Sequence, residues 1–112
     1  MIRDYKDYAN DILQSIKDIG SFTKRISFAK FSKDRKTINA VVRSLEIIGE
    51  ASKNIPIEIK NKHARIPWKK MTGIRDKLIH EYFGIDLSIV WKVAKDEIPP
   101  LKSLVSKVLK DL

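Results

Sequence analysis

The 112-residue chain contains no cysteine, which excludes disulfide frameworks, thiolate nucleophiles and cysteine-ligated zinc. Histidine is almost as scarce. Only His63 and His80 occur, too few for a histidine-rich metal site. No apolar run approaches the roughly 20 residues that cross a bilayer, so no membrane partner is expected. The opening stretch Met1-Ile2-Arg3-Asp4-Tyr5-Lys6-Asp7 alternates charge and lacks the apolar core of a signal peptide. Together with the missing cysteines, this reads as a cytoplasmic protein. Acidic residues are also in deficit: 14 stand against 23 Lys and Arg, a formal net charge of +9. So basic a surface attracts polyanions such as nucleic acid, an acidic protein or an anionic membrane face. Lys and Arg are spread along the chain, with local density at Lys60, Lys62, Arg65, Lys69, Lys70, Arg75 and Lys77.

What is present is apolar material at helical spacing. At this length there is room for one domain, residues 1–112, and 43% hydrophobic residues can close its core. Tyr5, Tyr8, Ile12, Ile16, Ile19 and Phe22 recur at steps of three and four, with Asp4 placed as an N-cap. Ser27 to Asp34 reads as a loop whose Phe28 and Phe31 tuck under the core. A second stripe runs through Ile38, Val41 or Val42, Leu45, Ile48 and Ser52. Gly49 inside it costs the helix about 1 kcal/mol relative to alanine, which points to a close helix–helix contact there. Asn54 to Pro67 is a connector with room for a short helical turn. Trp68 to Phe83 has mixed periodicity and stops at Gly84. Asp86 caps a further helix, Pro99-Pro100 breaks it, and Leu101, Leu104, Val105, Val108 and Leu112 form the last stripe. No strand-like alternation and no internal repeat occur. The expected fold is all-α, an up-and-down bundle of four to five helices.

The segment richest in chemistry is Ile66-Pro67-Trp68-Lys69-Lys70-Met71-Thr72-Gly73-Ile74-Arg75-Asp76-Lys77-Leu78-Ile79-His80-Glu81-Tyr82-Phe83-Gly84. On a helix Arg75 and Tyr82 lie on nearly the same side, while Asp76 and His80, four apart, share a second line. Arg75 and His80 are about 140° apart, so they converge only at a helix edge or across a dimer interface. On spacing alone, ordinary roles account for these residues: a surface histidine, a salt-bridged arginine, a core tyrosine. Asp76 either orients His80 or caps and solubilises the helix. Glu46 and Glu50, one turn apart on the second stripe, either hold Arg75 across the core or face solvent. His63 reads as a surface residue, and Trp68 and Trp91 as core or interface anchors.

Arg75-(four residues)-His80-Glu81-Tyr82 resembles the Arg-x4-His-x-Tyr motif of HEPN-domain toxins of the HepT type. Other blocks are similar to that family in the same order. They are Ala40 to Ala51, Ile66-Pro67-Trp68, Gly73-Ile74-Arg75-Asp76, Tyr82-Phe83-Gly84, and Val90-Trp91 through Pro99-Pro100-Leu101. The resemblance implies a HEPN-like bundle that forms a homodimer, with Arg75 and His80 lining a cleft between protomers. It implies RNA cleavage that is metal-independent and needs no cofactor; within the basic cluster around the motif, Lys69, Lys70 and Lys77 are candidate RNA contacts. It also implies a cognate minimal nucleotidyltransferase antitoxin of the MntA type, which silences the toxin by transferring AMP to Tyr82.

That chemistry suits the residue types. Metal-free RNA cleavage needs a base for the 2′-hydroxyl proton, an acid for the leaving 5′-oxygen, and a clamp for the phosphoryl charge. Histidine titrates near working pH, and arginine's planar fork can hold two phosphate oxygens. A two-fold dimer would supply each twice. The competing reading is a non-enzymatic nucleotide- or RNA-binding partner of a nucleotidyltransferase, with Arg75 and Tyr82 holding the nucleotide.

Overall fold

The structure is a computed structural model that describes residues 3–79 and 86–111. Among these residues there are helices and turns and no strand, as the helical periodicity predicts. Eight α-helices follow in order: α1 Tyr5–Thr23, α2 Phe28–Phe31, α3 Arg35–Lys53, α4 Ile57–Lys62, α5 Trp68–Thr72, α6 Ile74–Ile79, α7 Leu87–Lys92 and α8 Leu101–Leu109. A π-helical turn, Val93–Glu97, continues α7. No helix among the described residues is long and apolar enough to cross a membrane.

The long pair α1 and α3 forms the spine, with α8 laid against α1 and with α5 and α6 against α3. Asp4 starts α1 through a reciprocal capping box: its carboxylate accepts from the backbone of Lys6 and Asp7, and Asp7 accepts from the backbone of Asp4. Asp34 starts α3 by accepting from both the backbone and the hydroxyl of Thr37. The inner face of α1 is Ala9, Ile12, Ile16 and Ile19, and that of α3 is Val41, Leu45 and Ile48, all buried. Each of the Ile, Val and Leu side chains contributes about 1.5–3 kcal/mol by leaving water, so burial outweighs the few tenths by which Ile and Val disfavour a helix.

Three differences from the sequence-based expectation have physical causes. The α1 stripe ends at Ile19, and Phe22 is 39% exposed; Thr23 is buried instead, its hydroxyl donating back to the Ile19 carbonyl. The stretch expected as a loop holds α2, capped by the Ser27 hydroxyl, and Phe31 within it is fully buried against Trp91 at 5.0 Å between ring centroids. His63 is a correction to a surface assignment. Its Nε2 lies 3.0 Å from Asp111 Oδ2, its side chain is 16% exposed, and its carbonyl accepts from the Trp68 indole at 3.1 Å. Asp111 is also paired with Lys62 at 2.8 Å, and its carbonyl accepts from the Tyr5 hydroxyl. The Lys62 and His63 side chains hold the Asp111 carboxyl below the usual carboxylate range.

The π-helical turn meets the proline pair. Ile98 N–H donates to the Val93 carbonyl, five residues back, at 2.9 Å. On an α-helix residues five apart diverge by about 140°. The wider turn lets Val93, Ala94 and Ile98 all face the core.

Candidate active site

The candidate site is built on α5 and α6. The Trp68 indole anchors the start of α5, and Met71, Ile74 and Leu78, spaced by three and four, turn inward and are buried. That register puts Arg75, Asp76 and Lys77 on the outer side of α6, where all three are exposed. Gly73 joins the two helices, its N–H donating to the Lys69 carbonyl at 3.1 Å. A Cβ at Gly73 would stand 3.3 Å from that same carbonyl oxygen.

Gly49 performs the function its position in the stripe suggests. It is where α3 touches this unit: a Cβ there would lie 3.3 Å from the Met71 carbonyl oxygen and 4.0 Å from the Arg75 nitrogen. The backbone of Arg75 is thus seated directly against the spine.

Among the described residues, no carboxylate comes within 4 Å of the Arg75 guanidinium. Lys77 Nζ lies 3.6 Å from Glu97 Oε2 on the π-helical turn. Glu46 is half-buried and Glu50 exposed. Both border a shallow depression with Arg3, Tyr8, Asp11 and Arg43, on the α1 side of α3, and the structure does not bring them into ion-pair contact with Arg75. Lys69 and Lys70 are exposed on α5. They edge an open groove between α4 and α5, with Lys60 opposite and Ile57, Ile66 and Trp68 as its apolar lining. Lys70 and Lys77 also flank a second, smaller cavity of about 210 Å³ floored by Met71, Ile74, Val93, Ile98 and Leu101. His80 and Tyr82, the other two residues of the motif, lie outside the described residues.

Sequence reasoning missed Glu97 as the neighbour of Lys77, and no local pattern could have found it, because the two meet only across the tertiary fold. It also missed a second basic stretch, residues 24–36, whose signal was available by counting. Lys24, Arg25, Lys30, Lys33, Arg35 and Lys36 stand there against Asp34 alone.

Fold and site together define a basic, all-helical domain that displays an exposed arginine, with no carboxylate within 4 Å among the described residues, at the head of an Arg-x4-His segment. Comparison with known proteins gives that class its family. The family described as "Ribonuclease HepT-like" matches residues 12–108. The chain is 52% identical over 110 residues to "Probable ribonuclease HepT" of Thermococcus cleftensis, covering 98% of this chain and 100% of that protein. It is 47% identical over 110 residues to "Putative RNase MJ1216" of Methanocaldococcus jannaschii, covering 98% and 91%. It is 48% identical over 104 residues to "Putative RNase TTE0752" of Caldanaerobacter subterraneus subsp. tengcongensis, covering 93% of each. No solved structure gives a significant match. The chain belongs to the HepT-like ribonuclease family.

Proposed function

We propose that this protein is a metal-independent endoribonuclease, the toxin of a HEPN/MNT toxin–antitoxin pair, acting in the cytoplasm as a homodimer. The observation that carries the reading is membership of the HepT-like ribonuclease family along nearly the whole chain, with Arg75 and His80 standing at motif spacing. The exposure of Arg75 supports it, because a phosphate clamp must be open to its ligand.

In this mechanism one copy of His80 takes the proton of the 2′-hydroxyl as that oxygen attacks phosphorus. The P–O5′ bond breaks, and the second copy of His80 delivers a proton to the departing oxygen. The products are a 2′,3′-cyclic phosphate and a 5′-hydroxyl. The two Arg75 forks carry the charge on the non-bridging oxygens. Asp76, four residues before His80, is assigned to orienting it, and Lys69, Lys70 and Lys77 to neighbouring phosphates. A nucleotidyltransferase antitoxin of the MntA type would transfer AMP to Tyr82. That places a phosphodiester anion and a nucleoside beside the cleft, blocking RNA by occupancy and repulsion.

The test is cleavage of end-labelled RNA in EDTA by wild type, Arg75→Ala and His80→Ala. Wild type is expected to leave cyclic phosphate ends and sediment as a dimer, and both variants to fold yet lose cleavage. An active His80→Ala, a magnesium-dependent 5′-phosphate product, or an active monomer would each overturn the scheme. RNA bound with strong salt dependence but left intact would establish the binding-partner reading instead.

A further inference from the structure

The excess positive charge is not spread evenly over the protein. Residues 24–36 carry six cations against Asp34, and residues 60–77 carry seven against Asp76. The rest of the chain has ten Lys and Arg against twelve Asp and Glu, so it is slightly acidic. All of the net +9 therefore resides in two stretches.

The fold sets residues 24–36 and the start of the second stretch, around Lys62 and His63, at opposite ends of the bundle. Residues 24–36 connect the last turn of α1 to the first turn of α3. Lys62 and His63 are tied through Asp111 to Tyr5, at the first turn of α1. The 19 residues of α1 separate the two ends by about 28 Å at 1.5 Å per residue. Arg75 lies between them, its backbone meeting α3 at Gly49, and α7 lies at the 24–36 end, where its Trp91 contacts Phe28 and Phe31.

At that far end Lys24, Arg25, Lys30, Lys33, Arg35 and Lys36 are all exposed. Among the described residues none has a carboxylate within 4 Å, since Asp34 is spent on capping α3. Lys92 and Lys95 are exposed beside them, Lys95 donating to the Thr23 carbonyl at 3.2 Å. Two phenylalanines break this basic surface, Phe22 at 39% and Phe28 at 40% exposed. Uncompensated cations interleaved with exposed rings are the combination that holds single-stranded nucleic acid, by phosphate neutralisation and base stacking. An acidic protein surface would use the charges and leave the rings without a purpose.

We propose that the end of the bundle formed by residues 22–36 is a second RNA-contact site, about 21 Å along α3 from the seat of Arg75 at Gly49, which holds a flanking part of the strand being cut. The proposal rests on the ribonuclease reading for what happens between the two basic ends. A single strand stacked at 3.4 Å per nucleotide needs on the order of eight nucleotides to span about 28 Å, and a strand of only a few nucleotides cannot engage both.

The test compares wild type with the triple variant Lys30→Gln/Lys33→Gln/Lys36→Gln and with a charge-matched control, Lys102→Gln/Lys107→Gln/Lys110→Gln on and just after α8. Binding of a 20-nucleotide and a 4-nucleotide RNA is measured by fluorescence anisotropy across a salt series, together with cleavage of both. For the long RNA the first variant is expected to bind about 10- to 100-fold more weakly at 0.1 M salt. Its log K against log salt slope should fall by about 2, at roughly 0.7 per lost phosphate contact. The short RNA should be bound as by wild type, and the control should change little for either. Equal behaviour of the two triple variants would overturn the proposal, as would equal loss for both lengths, or polyglutamate bound as tightly as RNA through the same lysines. Wild type that binds in this pattern but does not cut would refute the nuclease reading and leave the second site standing.

Discussion

Gly49 offers the sharpest test of how the spine positions the candidate site. The ideal Cβ at this position stands 3.3 Å from the Met71 carbonyl oxygen, 3.9 Å from that of Thr72 and 4.0 Å from the Arg75 nitrogen. Gly49→Ala gains about 1 kcal/mol of helix propensity. The one tight contact asks α5 to yield by a few tenths of an ångström, so the net change should stay within about 1 kcal/mol of zero. Gly49→Val is different, because its two methyls must enter space held by the end of α5 and the start of α6. Overpacking of this kind costs about 1–3 kcal/mol. The neighbours here are main-chain atoms that cannot swing aside, so the upper part of that range applies. The strain falls on the residues that carry Arg75, and a displacement of roughly 1 Å at a reacting group can cost about 100-fold in rate. Thermal unfolding and RNA cleavage measured in parallel should therefore show a nearly unchanged alanine variant and a destabilised, much slower valine variant. A valine variant with wild-type melting and wild-type cleavage would show that α3 does not set the position of Arg75.

Further outcomes follow from the packing and from the proposed chemistry. Phe31→Ala, which empties a fully buried ring site against Trp91, should destabilise the protein by about 3–5 kcal/mol by chemical denaturation. Arg75→Lys keeps the charge but loses the two-pronged grip, so kcat should fall while melting stays unchanged; full activity would remove the phosphate-clamp role. Asp34, Asp86 and Asp111 are all held below the usual carboxylate range, chiefly by hydrogen bonds from Thr37, Ser88 and Lys62 respectively. A depressed carboxyl stabilises the fold above its unfolded pKa, near 4, and that stabilisation is lost as pH falls through the lower folded value. Acid unfolding should thus begin below about pH 4–5, and Asp111→Asn should shrink the pH-dependent component. A flat stability profile from pH 6 to pH 3 would contradict these assignments.

The helical class and its main elements were legible because α1, α3 and α8 each bury one stripe at helical spacing, and Asp4, Asp86 and Gly49 announce a cap, a cap and a contact. Short elements were less so. α2 spans only Phe28 to Phe31, too short for any periodicity to register, and it exists because Phe31 fills a core site under Trp91. His63 looked solvated because its partner, Asp111, is 48 residues away. Arg75 was found through motif resemblance, and its exposure follows from the inward register of Met71, Ile74 and Leu78. The pairing of Lys77 with Glu97 depends on an irregular turn that composition does not foretell.

That turn has a consequence for how this family member tolerates insertions and deletions. By adding a residue to one helical loop, Val93–Glu97 resets the phase of everything after it while Val93, Ala94 and Ile98 stay dry. Removing one residue there would restore ideal hydrogen bonding and yet swing Glu97 away from Lys77. The ionic surroundings of α6 are therefore tuned by a counting error in a different helix, one that natural variation could insert or erase in a single step.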